Sequence, residues 1–142
     1  MQVSTTRDVH IESTQPLITP IELVNALPIT PRAESTVDWG RAQARSILNG
    51  EDTRFMVIVG PCSIHDEEAA LDYAERLRRC SEKLSERLLI VMRVYFEKPR
   101  TTTGWKGLVY DPHLDGTFDI EAGLHRARSL LLQIGEMGVY AG

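Results

Sequence analysis

Only two of the 142 residues are cysteine, no stretch is a run of one charge sign, and no apolar run is long. Each shortage removes a class of protein. Cys62 and Cys80 are too few for the disulfide framework of a small secreted domain, and a reducing cytosol would keep both as thiols. The basic residues are dispersed in a chain of net charge −4, so bulk electrostatics give no reason to expect nucleic acid or an anionic membrane as partner. The opening stretch MQVSTTRDVHIEST has no apolar signal core, and nothing approaches the ~18 apolar residues of a membrane span. A cytoplasmic location is therefore expected. There is no internal repeat, low-complexity tract or linker either. What is present, 42% hydrophobic and 25% charged residues, is ordinary for one soluble globular domain with its own core.

The organisation along the chain is regular. Thr19, Pro20 and Glu22 combine an N-cap, a proline at the first helical position and an acid placed to close a capping box, which predicts a short helix to about Pro28. A second helix follows, with Val37, Arg41, Ala44, Ile47 and Leu48 on one face and Gly50 as its stop. The run RFMVIVG then reads as a strand covered on both faces. Asp66 caps the next helix, whose apolar stripe is Ala70, Tyr73, Ala74, Leu77, Cys80 and Leu84, and LLIVMRVY is a second buried strand. A third long helix starts near Asp119 with the stripe Ile120, Gly123, Leu124, Ala127, Leu130, Leu131 and Ile134. Strand, helix, strand, loop, helix is the βα repeat of a parallel sheet, so the fold class is α/β. Residues 1–50 are expected to form a helical extension ahead of it.

In such folds chemistry gathers at the carboxyl ends of the strands, where GPCSIHD and FEKPRTTTGWKG both fall. The second loop is an anion site by composition: Arg93, Lys98, Arg100 and Lys106 face one acid, Glu97, with threonine hydroxyls following Arg100. A solvated basic loop has the same composition. Arg93 favours the anion, because it lies within an apolar strand where an unpaired charge would be costly to bury. Cys62 reads either as a small buried hydrophobe or as a metal-ligating thiolate, and one ligand is not a site. His65 is a surface or hydrogen-bonding residue, His113 a turn residue and Cys80 core, with Trp39 and Trp105 assigned to packing.

The segments GPCSIHD, VMRVYFEKPRTTTGWKGL and DPHLDGTFDIEAGL resemble the signatures of the class I, microbial-type 3-deoxy-D-arabino-heptulosonate 7-phosphate synthases. The similarity runs from about Val9 to the last residue. It implies condensation of phosphoenolpyruvate with erythrose 4-phosphate, the first step of the shikimate pathway to chorismate and the aromatic amino acids, on a (β/α)8 TIM barrel with a divalent metal ion (Mn, Fe, Co or Zn). By the same resemblance Cys62 is the metal ligand. Arg93 and Lys98 match positions that bind phosphoenolpyruvate, with Lys98 taken as catalytic, and Arg100 and Thr101 match those that hold the aldose phosphate. The resemblance also implies a homo-oligomer and feedback by an aromatic amino acid, the stretch RDVHIESTQPLITP leaning towards tyrosine.

A whole barrel takes eight βα units in roughly 250 residues. This chain is expected to supply the first two, in residues 51–142, and to stop at GVYAG, where a third strand would begin. The family's other metal ligands, a histidine, a glutamate and an aspartate, would lie outside it, as an inactive N-terminal fragment implies. The unpaired sheet edge is then expected on LLIVMRVY. A non-catalytic short form that binds a partner subunit or effector through its N-terminal helices is the other reading.

Overall fold

The computed structural model describes residues 10, 11 and 13–142. The stretch RDVHIESTQPLITP therefore begins partly outside the described residues. Helix α1, Pro20–Ala26, starts as its sequence dictates: the Glu22 N–H donates to Thr19 Oγ1 at 3.4 Å and the Thr19 N–H donates to the Glu22 carboxylate at 2.9 Å. Two orphan donors are satisfied at once. Thr30 and Pro31 repeat part of the device at α2, Pro31–Leu48. Asp66 caps α3, Glu67–Leu84, by accepting from the Ala69 N–H at 2.9 Å, and Asp119 caps α4, Ile120–Glu136, by accepting from Ala122 at 3.1 Å.

The strands β1, Phe55–Val59, and β2, Leu88–Met92, pair in parallel, with Phe55 opposite Leu88 and Val59 opposite Met92. Helix α3 is the crossover between them, as parallel pairing requires. The chain returns to β2 at its end: the Met92 N–H donates to the Tyr140 carbonyl at 2.7 Å and the Gly142 N–H to the Met92 carbonyl at 2.9 Å, with a parallel bridge between Met92 and Ala141. That is where a third strand was expected.

β2 keeps the expected open edge over residues 88–91, because residues 140–142 pair with Met92 and Val94 at its end, and among the described residues β1 has no second strand beside it. Nor is β1 covered on both faces. Phe55 is 76% and Ile58 62% exposed, whereas Leu89, Ile90 and Met92 of β2 are buried. An apolar run states a demand for cover without saying which strand receives it. Here the core of Ile64, Ala70, Ala74, Leu77, Ile90, Met92, Leu130, Ile134 and Val139 sits between β2, α3 and α4.

Two helix faces also differ from their expected stripes. In α2 the buried residue is Ala33, against which Gly135 of α4 packs so closely that an added Cβ would lie 3.0 Å from that of Ala33, while Val37, Arg41 and Leu48 are exposed. The Thr36 hydroxyl seals this contact by donating to the Gly135 carbonyl at 2.8 Å. In α3 the buried stripe is Ala70, Ala74 and Leu77, and Cys80 is exposed, because the half-buried Ser81 takes the inward position of the following turn. Below the sheet Arg54 gathers the elements: its guanidinium meets Asp52 at 2.6 Å, Gln43 Oε1 at 2.7 Å and the Ser85 carbonyl at 3.2 Å. No described helix is long and apolar enough to cross a membrane.

Candidate functional site

Because β1 and β2 run in the same direction and end together, the loops that follow them share one rim. Gly60 makes this possible, for a Cβ there would sit 2.5 Å from the Arg93 carbonyl oxygen. The Arg93 N–H donates to the Val59 carbonyl at 2.9 Å, and the Ile64 N–H to the Tyr95 carbonyl at 2.8 Å, so the loop of residues 60–66 is stitched to the start of the loop of residues 93–107. Side chains add a second link. The His65 ring meets Trp105 edge to face at 6.3 Å between centroids, and Trp105 Nε1 donates to the Asp111 carbonyl at 2.8 Å.

The second loop folds back as a hairpin. Glu97 and Gly107 form an antiparallel bridge, and the Lys98 N–H donates to the Lys106 carbonyl at 2.9 Å. Gly107 has φ of 119°, a backbone region that side chains avoid, and its absent Cβ would press on the Phe96 carbonyl and lie 2.6 Å from Glu97 Cα. Closure of the hairpin brings Lys98, Arg100 and Lys106 around a cleft of about 280 Å³, walled by Tyr95, Pro99 and Tyr110 and holding one acid, Glu97. Three cations against one carboxylate leave an excess of positive charge and of N–H donors, which suits a phosphate or carboxylate.

The expected site residues are distributed as follows. Lys98 and Arg100 line the cleft, joined by Lys106; Thr101 is exposed at the hairpin tip and is not among the lining residues. Arg93 is one residue past β2 and exposed, its guanidinium carbon 4.9 Å above the Tyr95 ring centroid. The burial argument for an anion at Arg93 therefore fails: the charge is solvated and rests on an aromatic face. It borders the cleft only through Tyr95. Cys62 is exposed on the 60–66 loop, which removes its reading as a small core residue. His113 occupies its turn with Nε2 3.4 Å from Asp119 Oδ2, while Trp39 is 68% exposed and packs little.

Sequence reasoning missed Tyr95 and Tyr110 as cleft walls, and it missed Arg126. The Arg126 guanidinium grips the Glu67 carboxylate and the Pro112 carbonyl. These hydrogen bonds hold the Glu67 carboxyl below the usual glutamate range and raise the Arg126 guanidinium above its own, burial opposing both. No local pattern announces a pair 59 positions apart.

Residues 23–140 match the model of the DAHP synthetase I family. The chain belongs to that family. The tyrosine-sensitive phospho-2-dehydro-3-deoxyheptonate aldolase of Escherichia coli K12 is 50% identical over 98% of this chain and 39% of its own length. The tryptophan-sensitive protein of the same strain is 52% identical over 94% of this chain and 37% of its own. A solved structure of phospho-2-dehydro-3-deoxyheptonate aldolase from Francisella tularensis SCHU S4 matches with a TM-score of 0.89 and 44% identity, over 92% of this chain and 38% of that one. This DAHP synthetase I chain thus spans under two-fifths of the length of these relatives. Its rim loops both fall within the matched region.

Proposed function

We propose that this chain carries the anion-binding rim and one metal ligand of a 3-deoxy-7-phosphoheptulonate synthase, which condenses phosphoenolpyruvate, erythrose 4-phosphate and water to the seven-carbon phosphosugar acid and phosphate. The observation that carries the reading is the cleft of Lys98, Arg100 and Lys106 on the same rim as the Cys62 loop, in a chain of this family. Two anionic substrates repel each other, and fixed cations offset that repulsion while orienting them for carbon–carbon bond formation. Lys98 and Arg93 are assigned to phosphoenolpyruvate, with Lys98 at the reacting end, and Arg100 and Thr101 to the aldose phosphate. Lys106 is added to the set on its place in the cleft.

The fit to a divalent metal is partial. Cys62 offers an accessible thiol, but the described residues contain no group of three or more His, Cys, Asp or Glu side chains able to hold an ion. This chain would supply one ligand, and a single thiolate does not fix a coordination geometry. Bound at a completed site, such an ion supplies Lewis acidity towards an aldehyde oxygen. The architecture we infer is a helical extension over residues 1–50 and the first two βα units of a TIM barrel over residues 51–142, in a cytoplasmic homo-oligomer. Feedback by an aromatic amino acid belongs to the same proposal. Relatives named tyrosine-, tryptophan- and phenylalanine-sensitive are 50%, 52% and 50% identical, so identity does not select the effector.

Titration with phosphoenolpyruvate at constant ionic strength tests the reading. Saturable binding is expected, weakened at least tenfold by Lys98→Ala or Arg93→Ala and unchanged by Arg87→Ala, at the opposite end of β2. Equal binding by all four proteins, or none by the unsubstituted chain, overturns it.

A further inference from the structure

We propose that Arg126 is a positioning residue that holds the two rim loops in register and so keeps the anion cleft assembled; the inference rests on the reading of that cleft given above. The side chain projects from α4, an element anchored in the core by Ala127, Leu130 and Ile134. Its planar fork meets both oxygens of Glu67, with Nη2 to Oε2 at 2.5 Å, and its remaining nitrogen donates to the Pro112 carbonyl. Glu67 is the first residue of α3, directly after the loop that carries Cys62. Pro112 follows Asp111, which is buried and whose carbonyl receives the Trp105 indole N–H. The Asp111 carboxylate in turn accepts from the Asp115 and Gly116 N–H groups at 3.2 and 3.1 Å. Trp105 adjoins Lys106 of the cleft and touches His65, two residues before Glu67.

The contacts therefore close a circuit: Glu67, Arg126, Pro112 and Asp111, Trp105, His65, and back along the chain to Glu67. One arc carries the Cys62 loop and the other the basic hairpin. Exposed loops lose entropy when they order around a ligand, and a loop already fixed loses less. A lysine in place of Arg126 keeps the charge but cannot reach two carboxylate oxygens and a carbonyl together. As a partly exposed ion pair the interaction adds little to global stability, so its effect on ligand affinity is separable from its effect on folding.

The test uses inorganic phosphate, at constant ionic strength maintained with chloride, and the fluorescence of Trp105. Trp39→Phe makes it the sole tryptophan. Arg126→Lys and Glu67→Gln are each expected to weaken phosphate binding about three- to tenfold, the scale of ordering one or two side chains. The double variant should be no worse than either single one, because both remove the same interaction. Unchanged affinity in folded single variants, with binding still abolished by Lys98→Ala, overturns the positioning role and leaves the cleft standing. Phosphate binding that ignores Lys98→Ala overturns the cleft and this inference with it. Should Arg126→Lys not fold, Glu67→Gln leaves the Asp66 cap intact and carries the same test.

Discussion

Gly107→Ala should dismantle the basic cleft while leaving the core in place. Gly107 adopts φ of 119°, and a methyl group there would lie 2.6 Å from Glu97 Cα and closer still to the Phe96 carbonyl oxygen. A strained backbone of this kind costs about 1–3 kcal/mol. Relief requires the strands of the hairpin to part, which removes the bond from the Lys98 N–H to the Lys106 carbonyl, worth about 1 kcal/mol net. That strain, about 1–3 kcal/mol, lowers the cost of opening the hairpin, since the hydrogen bond is lost on opening with or without the methyl group. The effect stays local because Gly107 packs against residues 96 and 97. Hydrogen exchange of the Lys98 amide should then accelerate about 5- to 140-fold, at about 1.4 kcal/mol per decade, and phosphate affinity should fall with it. Gly104→Ala is the control. It shares a positive φ, 101°, but its Cβ would meet only the Arg100 side chain, at 3.6 Å, so about 1–2 kcal/mol of backbone strain is expected and no clash. Equal exchange rates in the two variants, or an unaltered Lys98 amide in Gly107→Ala, would refute the steric reasoning.

Leu130 is fully buried in α4, and Leu130→Ala should cost about 2–5 kcal/mol in denaturant unfolding by opening a cavity. The five apolar residues of β1 present an unpaired edge, so the chain should self-associate in light scattering, and Phe55→Lys should suppress this while preserving the circular dichroism spectrum. Glu75 is held at about 2 by hydrogen bonds from Arg78 and then Arg79. Its folded pKa lies below the ordinary value, so its contribution is complete above about pH 4.5 and is lost as the pH falls towards 2; an NMR titration of its carboxyl should show this, and Glu75→Gln should flatten that part of the stability profile. Residues 1–142 alone should release no phosphate from phosphoenolpyruvate and erythrose 4-phosphate with divalent metal present. Metal-dependent turnover would contradict the claim that one thiolate does not hold the ion.

Several features follow from local chemistry and were legible without coordinates. Thr19, Asp66 and Asp119 cap helices because a short oxygen-bearing side chain before a helical run satisfies orphan N–H groups wherever it occurs. The alternation of strand and helix implies parallel pairing, and parallel pairing alone puts the Cys62 loop and the basic loop on one rim. The long motifs of those loops carried the family resemblance.

What the sequence could not decide was what each side chain would meet. Apolarity marks FMVIV and LLIVM alike, yet β2 lies over the core and β1 is largely exposed, because cover depends on where α3, α4 and residues 140–142 pack. Arg93 looked like a buried charge in need of an anion and instead stacks on Tyr95 one residue beyond the strand. Lys98, Arg100 and Lys106 converge only because the hairpin closes at Gly107. Arg126 reaches Glu67 only because α4 lies beside the start of α3. Capping and periodicity are short-range and repeat wherever their residues occur, so a linear string records them. Edges, stacking partners and ion pairs across 59 positions depend on the packing of distant segments, which the tertiary structure alone determined.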